Sequence, residues 1–269
     1  MNEQLNDLFR SRVGYPAENT LTFEDLPRIL ELAGRTIPFE NFSIMERNTR
    51  SITQQNLLDK ILVQGEGGLC YELNSLLYLF LLENGFNAVM TRGVVFNNET
   101  QKFMPIGRTH ATILLSYEER TYLVDTGFGG NLPLTPVPLT GETVQTSNGE
   151  FRIRKANSEH GDYQLEIKLK HKDPDWKIGY VFNSRILISD VTELDELQQL
   201  IAEHELSVFN KDPLIMKLTE AGSMTLTDHS FTTWANGTMT KEEIGGSRYK
   251  ELLKQHFGRT LAEIKQVEE

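Results

Sequence analysis

The chain has 269 residues, 39% of them hydrophobic, enough for a substantial core in one large domain or two to three small ones. A net charge of −11 argues against a nucleic-acid partner, which needs a basic face, but not against an anionic small molecule held by clustered backbone N–H groups. One cysteine excludes an internal disulfide and favours a reducing compartment. With no signal-peptide pattern in Met1-Asn2-Glu3-Gln4 and no apolar run longer than Leu76 to Leu82, a cytoplasmic protein with no membrane partner is expected.

The first eighty-odd residues read mainly as helix. Thr22-Phe23-Glu24-Asp25 resembles a capping box, Pro27 suits the first turn after it, and Ile29, Leu30 and Ala33 supply an apolar stripe. A second helix is expected from Cys70 to Glu83, stopped by Asn84-Gly85. From Ala88 the texture changes to short β runs. Ala88 to Met90, Gly93 to Phe96, Ala111 to Leu115, Tyr122 to Asp125, Gln164 to Leu169 and Tyr180 to Phe182 read as strands of a small antiparallel sheet or barrel. Thr192 to Glu205 reads as a helix capped by Thr192 with Asp195. Met224 to Leu226 and Phe231 to Trp234 read as strands, and Ser247 to Phe257 as a helix ended by Gly258. The expected organisation is α+β in three consecutive units: helical over 1–86, β over 87–190 and α/β over 191–269.

The most informative stretch is Gly65-Glu66-Gly67-Gly68-Leu69-Cys70-Tyr71-Glu72-Leu73-Asn74. Glycines before a helix allow a tight turn and close approach of a ligand. They place Cys70 at a helix N-terminus, where the dipole and unpaired N–H groups favour a thiolate and could hold an oxyanion. Taken alone, the pattern fits a small buried hydrophobe equally well.

A cysteine nucleophile needs a base, and the chain offers His110, His160, His171, His204, His229 and His256. Strand geometry selects His110. Thr109 to Ser116 and Thr121 to Asp125 read as two strands around a tight turn at Tyr117 to Arg120. Alternation puts Ala111, Ile113 and Leu115 on one apolar face with Tyr122 and Val124. His110 and Asp125 then share the opposite, more polar face at the open end, directly opposed or diagonal. A slip of one residue would separate them but expose half of each apolar set. The bland alternative is a surface His–Asp pair worth little. Asp125 is followed by Thr126-Gly127-Phe128-Gly129-Gly130, a turn able to present N–H groups to a phosphate or pantetheine amide.

At this point the chain resembles the arylamine N-acetyltransferase family. Ile37-Pro38-Phe39-Glu40-Asn41, Gly67-Gly68-Leu69-Cys70-Tyr71-Glu72-Leu73-Asn74, Thr109-His110 and Asp125-Thr126-Gly127-Phe128-Gly129 are similar to that family's motifs, in its order. The resemblance implies an N-terminal helical bundle, a central antiparallel β-barrel and a C-terminal α/β lid, with a cysteine-protease-like core. It implies a Cys70-His110-Asp125 triad and ping-pong transfer from acetyl-coenzyme A to an aromatic amine, hydrazine or hydroxylamine, with no metal. Thr109, Gly127, Phe128 and Gly129 become candidates for coenzyme A contact, Phe39 and Val95 for the acceptor wall, and Asn74 and Glu72 for supports. A monomer or homodimer is expected. Two departures stand out: Glu66 occupies a position where the family usually has arginine, and His204 to Lys217 lacks the usual Ser/Thr-Pro-rich pattern near the acceptor pocket. Competing readings are an amide (macrolactam) synthase acting on a carrier-bound acyl chain, a cysteine hydrolase, and a coenzyme A-binding protein with impaired catalysis.

Overall fold

A computed structural model describes residues 3–16, 20–170 and 172–260; Met1, Asn2, His171 and residues 261–269 of the expected C-terminal unit lie outside it. The chain opens with α1 (Glu3–Val13) and α2 (Leu26–Thr36). The Thr22 N–H donates to Asp25 Oδ2 at 2.9 Å, Pro27 sits in the first turn, and Ile29, Leu30 and Ala33 are buried, as the pattern requires. A two-residue strand, β1 (Phe39–Glu40), and a short helix, α3 (Phe42–Met45), follow. Next, α4 (Gln54–Leu57) runs into a π-helical turn over Leu58–Val63.

Helix α5 spans Cys70–Glu83, and Gly85 with φ +81° supplies the left-handed stop. Leu76, Leu77, Phe80 and Leu81 are all buried. A helix apolar on every side belongs inside the molecule, so Cys70 stands on a rigid central rod. The buried Arg10 of α1 donates to Asn84 Oδ1 at 3.0 Å, fixing the far end of that rod.

Antiparallel strands follow: β2 (Asn87–Asn97), β3 (Lys102–Phe103), β4 (His110–Tyr117), β5 (Arg120–Val124), β6 (Val137–Pro138), β7 (Val144–Gln145), β8 (Gly149–Ser158), β9 (Gly161–Leu169) and β10 (Lys177–Ile188). They form a nine-stranded sheet in the order β6-β5-β4-β2-β10-β9-β8-β7, with β3 on β2. The sheet curls until β6 lies against β8, a nearly closed barrel. Leu114, Leu123, Val137, Phe151, Leu165, Tyr180 and Phe182 fill its interior. The two expected runs Ala88 to Met90 and Gly93 to Phe96 are one strand, β2. The unanticipated β8 alternates buried Phe151 and Ile153 with charged residues.

After β10, α6 spans Asp195–Glu203 behind a 3-10 turn over Val191–Leu194. The cap there is Asp190, whose carboxylate accepts from Thr192 N–H at 2.9 Å, rather than Thr192. Strands β11 (Leu214–Thr219), β12 (Gly222–Thr227), β13 (Ser230–Ala235) and β14 (Thr238–Glu243) precede α7 (Gly246–Phe257), which Gly258 ends at φ +69°. The first and last of these strands were not expected. The second sheet runs β1-β11-β12-β13-β14, so the N-terminal Phe39-Glu40 pair supplies its edge. None of the described helices is long and apolar enough to cross a membrane.

Asn41 ties this edge down. Its side chain donates to the carbonyls of Phe209 and Asp212 at 2.9 and 2.8 Å and accepts from Leu214 N–H at 2.8 Å. Truncation would orphan all three backbone groups. Asn41→Ala should therefore destabilise the fold by about 2–4 kcal/mol in urea unfolding. A change under about 0.5 kcal/mol would show that the loop is held elsewhere.

Candidate active site

The hairpin register brings the two polar candidates together. Glu118 and Glu119 have φ of 45° and 62°, the left-handed pair of a two-residue type I′ turn. Ile113 therefore faces Val124, Leu114 faces Leu123 and Leu115 faces Tyr122. Carried one step further, Asp125 falls opposite Thr112 and diagonal to His110. Their side chains meet at 2.7 Å between His110 Nε2 and Asp125 Oδ2. The bland alternative of a surface His–Asp pair does not hold, because the shared face is buried. Strand β4 is buried on both sides, one against the helices and one inside the barrel, and His110 and Asp125 are 3% and 1% exposed.

A carboxylate so buried must be satisfied by the protein. Asp125 Oδ1 accepts from Asn74 Nδ2 at 2.9 Å and from Gly127 N–H at 2.7 Å, while Oδ2 accepts from His110 and, at 2.8 Å, from the Tyr180 hydroxyl. Asn74, one turn past Cys70 on α5, also donates to the Ala111 carbonyl at 2.7 Å and accepts from Thr126 N–H at 2.8 Å. One amide thus ties α5 to β4 and to the loop after β5. Sequence reasoning selected Asn74 as a support but missed Tyr180, whose inward position on β10 was the available signal.

These contacts set the protonation states. Burial pulls the His110 imidazole down, but the charge and hydrogen bond of Asp125, then the Cys70 sulfur, outweigh it and push it up to about 10. Burial raises the Asp125 carboxyl, yet His110, Asn74 and Gly127 together hold it below its ordinary range. Cys70 is the first residue of α5 and 5% exposed, with its sulfur 3.4 Å from the Thr109 carbonyl oxygen. A Cβ on Gly127 would lie 2.6 Å from Cys70 Cα, so only glycine lets the Asp125 loop press against Cys70.

Cys70 and His110 lie at the wall of a cleft of about 670 Å³. Phe39, Val95, Thr109, Gly127, Phe128 and Gly129, all singled out from the sequence, line it as well. The N–H of Gly127 is spent on Asp125 rather than turned to the cleft. Phe128 sets its ring 5.0 Å from both His110, tilted to it, and Tyr180, edge-on to it, shielding the imidazole. Phe209, from the loop that Asn41 anchors, meets Phe39 edge-on at 5.6 Å, and the exposed Leu206 and Val208 extend the apolar rim. Among the described residues, Asp212, Asp228 and His229 form a group with metal-ligand spacing, but none of them lines the cleft.

The turn before Cys70 is held by charge. Glu72 Oε2 accepts from Leu69 N–H at 3.0 Å, and Oε1 pairs with the buried Lys60 ammonium at 2.5 Å. Glu66, the residue of unexpected sign, pairs with Arg259 Nη2 at 3.0 Å. Neither cation was singled out from the sequence: Arg259 comes from 193 residues away, and Lys60, only 12 residues before Glu72, is turned inward by a π-helical turn that the sequence pattern does not reveal.

The sequence profile of the N-acetyltransferase family matches residues 22–267. The chain belongs to the arylamine N-acetyltransferase family. The YvcN acetyltransferase of Bacillus subtilis is 40% identical over 258 residues, covering 96% of this chain and 98% of that one. A probable arylamine N-acetyltransferase of Dictyostelium discoideum is 32% identical, covering 83% and 81%. The crystal structure of an arylamine N-acetyltransferase from Bacillus cereus is 40% identical, with a TM-score of 0.89 and coverage of 96% and 99%. A Cys-His-Glu catalytic triad is described for that protein; here the carboxylate beside His110 is the shorter Asp125.

Two outcomes follow for this family member. Proton linkage fixes the sign of the first: the unfolded imidazole titrates near 6.5 and the folded one near 10. The stabilisation from charged His110 is then complete below about pH 6.5 and is lost as pH rises through about 10. Asp125, shifted down, contributes above about 3.9 and loses its share in acid. In urea unfolding, wild type should lose more stability than His110→Gln between about pH 6.5 and 10; parallel losses would refute the shift. The second concerns Tyr180→Phe, which removes one donor to a charged acceptor and should lower kcat/KM for acetyl transfer about tenfold. An unchanged kcat/KM would mean that the hydroxyl does not support Asp125.

Proposed function

We propose that the protein transfers an acetyl group from acetyl-coenzyme A to the nitrogen of an aromatic amine, hydrazine or hydroxylamine by a ping-pong route through a thioester on Cys70. The observation that carries this reading is the line Cys70, His110, Asp125: a sulfur at a helix N-terminus, facing an imidazole whose far nitrogen is bonded to a buried carboxylate.

His110 Nε2 is committed to Asp125, leaving Nδ1 for the sulfur. Paired with the charged imidazole, the Cys70 sulfur is the nucleophile. It attacks the thioester carbonyl, and the N–H of Cys70, one of the helix donors with no intrahelical partner, receives the oxyanion. When the intermediate collapses, the C–S bond to coenzyme A breaks and His110 protonates the departing sulfur. The acceptor nitrogen then attacks acetyl-Cys70, gives its proton to the now neutral His110, and Cys70 leaves as thiolate. Asp125 orients the ring throughout and stabilises its charged form. An arylamine suits the second step because it is uncharged at neutral pH and keeps its lone pair.

Phe39 and Val95, with Phe209, would grip the acceptor ring by apolar contact. Thr109, Phe128 and Gly129 would border the thioester tail. The impaired-catalysis reading rested on Glu66. Its pairing with Arg259 and the intact spacing around Asp125 favour the active enzyme instead.

Intact-mass spectrometry tests the route. Acetyl-coenzyme A should add one acetyl group to Cys70, and an aminobenzoate should remove it. Cys70→Ser should abolish the adduct; His110→Ala and Asp125→Asn should slow its formation on the order of 10²–10⁴-fold. Acetyl transfer that survives Asp125→Asn at full rate would overturn the triad. Labelling only by a longer, carrier-bound thioester would point to amide synthesis on a different chain.

A further inference from the structure

The turn that presents Cys70 is gripped from behind, on the side away from the hairpin. Glu72 caps the start of α5 through Leu69 N–H at 3.0 Å. Glu40 fixes the preceding glycine: its own N–H donates to the Gly68 carbonyl at 3.0 Å, and the Gly68 N–H donates to the Pro38 carbonyl at 3.3 Å. A Cβ on Gly68 would sit 2.7 Å from Glu72 Oε2, and one on Gly67 would sit 2.0 Å from the Pro38 carbonyl oxygen. The turn is thus pressed between two acidic residues, 1% and 5% exposed, one from the β1 edge and one from α5. Two such carboxylates repel, and burial weakens the screening between them.

Lys60 is the cation between them. The π-helical turn over Leu58–Val63 carries it inward, 2.5 Å from Glu72 Oε1 and 3.8 Å from Glu40 Oε1. The Oε1 atom of Glu40 has no hydrogen-bond donor among the described residues, so this ion pair is its compensation. Burial draws the ammonium towards its neutral form, but Glu72 and Glu40 outweigh it and hold it charged. The remaining charged groups here, Glu46, Glu66, Arg50 and Arg259, share a polar cavity of about 290 Å³ with Lys60 and Glu72.

We propose that Lys60 is a positioning residue for the nucleophile: its buried positive charge locks β1 and the first turn of α5 together, and so sets the direction of the Cys70 thiolate and N–H. Without the charge, two opposed carboxylates would have to separate or take up a proton, and either change loosens the Glu72 cap on Leu69 N–H or the grip of the Glu40 carboxylate on Phe42 N–H at the end of β1. Phe39, the acceptor-wall candidate adjacent to Glu40, would move with them. The requirement is for the charge, not for the lysine chain.

Two reactions of Cys70 read this directly: single-turnover acetylation by acetyl-coenzyme A, and alkylation by iodoacetamide as a function of pH. Lys60→Met should slow both at neutral pH about tenfold or more and move the alkylation profile to higher pH, because negative charge near the thiolate is no longer offset. Lys60→Arg should stay within about threefold of wild type. Glu66 lines the same cavity and its N–H donates to the Lys60 carbonyl at 3.1 Å, so Lys60→Met combined with Glu66→Arg returns a cation from the adjacent backbone. That pair should recover most of the lost rate. Circular dichroism establishes that each variant is folded. A folded Lys60→Met with wild-type rates and an unshifted profile overturns the proposal, as does Lys60→Arg that is equally slow. If Lys60→Met does not fold, the double variant decides: folded and reactive supports the proposal, folded and slow overturns it. The inference rests on Cys70 as the acetyl carrier, yet alkylation does not require acetyl-coenzyme A. A wild type that is never acetylated but whose alkylation depends on Lys60 would sink the proposed function and leave the positioning role standing.

Discussion

A carboxylate shut away from water survives as an anion only if the protein replaces the hydration it has lost. Asp125 is the clearest case in this molecule, and four groups from four separate segments converge on it: Asn74 from α5, His110 from β4, Gly127 from its own loop and Tyr180 from β10. None of these elements can shift without stranding the charge. The curled sheet and the central helix are therefore docked in one relative position, and that position brings Cys70 to His110. Catalytic alignment and fold stability are here one constraint.

The second half of the site follows the same logic with opposite partners. Around Asp125 the carboxylate is central and the donors surround it. Behind the Cys70 turn the ammonium of Lys60 is central and the carboxylates of Glu40 and Glu72 flank it. The first turns of α5 are held by buried charge, Lys60 through Glu72 and Asp125 through Asn74, while the cleft before them is walled by apolar rings such as Phe39, Phe128 and Phe209. Charge fixes Cys70 beside His110, and apolar surface lines the space in front of them.

Much of this was legible in the sequence. Helix α5 could be bounded because glycines precede Cys70 and Asn84-Gly85 follows Glu83. The His110–Asp125 meeting could be derived because a tight turn and a period-2 apolar pattern allow only registers that keep both apolar sets on one face, and these leave the two residues opposed or diagonal; the structure selects the diagonal one. Strand β8 was missed because charged residues interrupt it, although Phe151 and Ile153 keep the alternation. Strands β11 and β14 each close a tight hairpin, β11 with β12 across Glu220-Ala221 and β14 with β13 across Asn236-Gly237, so the Asn-Gly pair was a local signal passed over. Only the other edge of β11, paired with Phe39-Glu40 some 175 residues earlier by the register Phe39 to Met216, has no local signal. Tyr180 and Arg259 were illegible as site residues because their contacts close over 55 and 193 residues. Lys60 lies only 12 residues before Glu72, but a lysine in a helical turn is ordinary until its partner is seen.

The way Asn41 anchors the loop carrying Phe209 has a consequence for how such a protein can change. Its amide grips the main chain alone, the carbonyls of Phe209 and Asp212 and the N–H of Leu214. A grip on peptide groups is indifferent to what the loop's side chains are. Residues such as Leu206, Val208 and Phe209 can be exchanged by mutation while the anchorage stays, so the walls of the cleft are free to drift towards new compounds and the reacting centre behind them is left undisturbed.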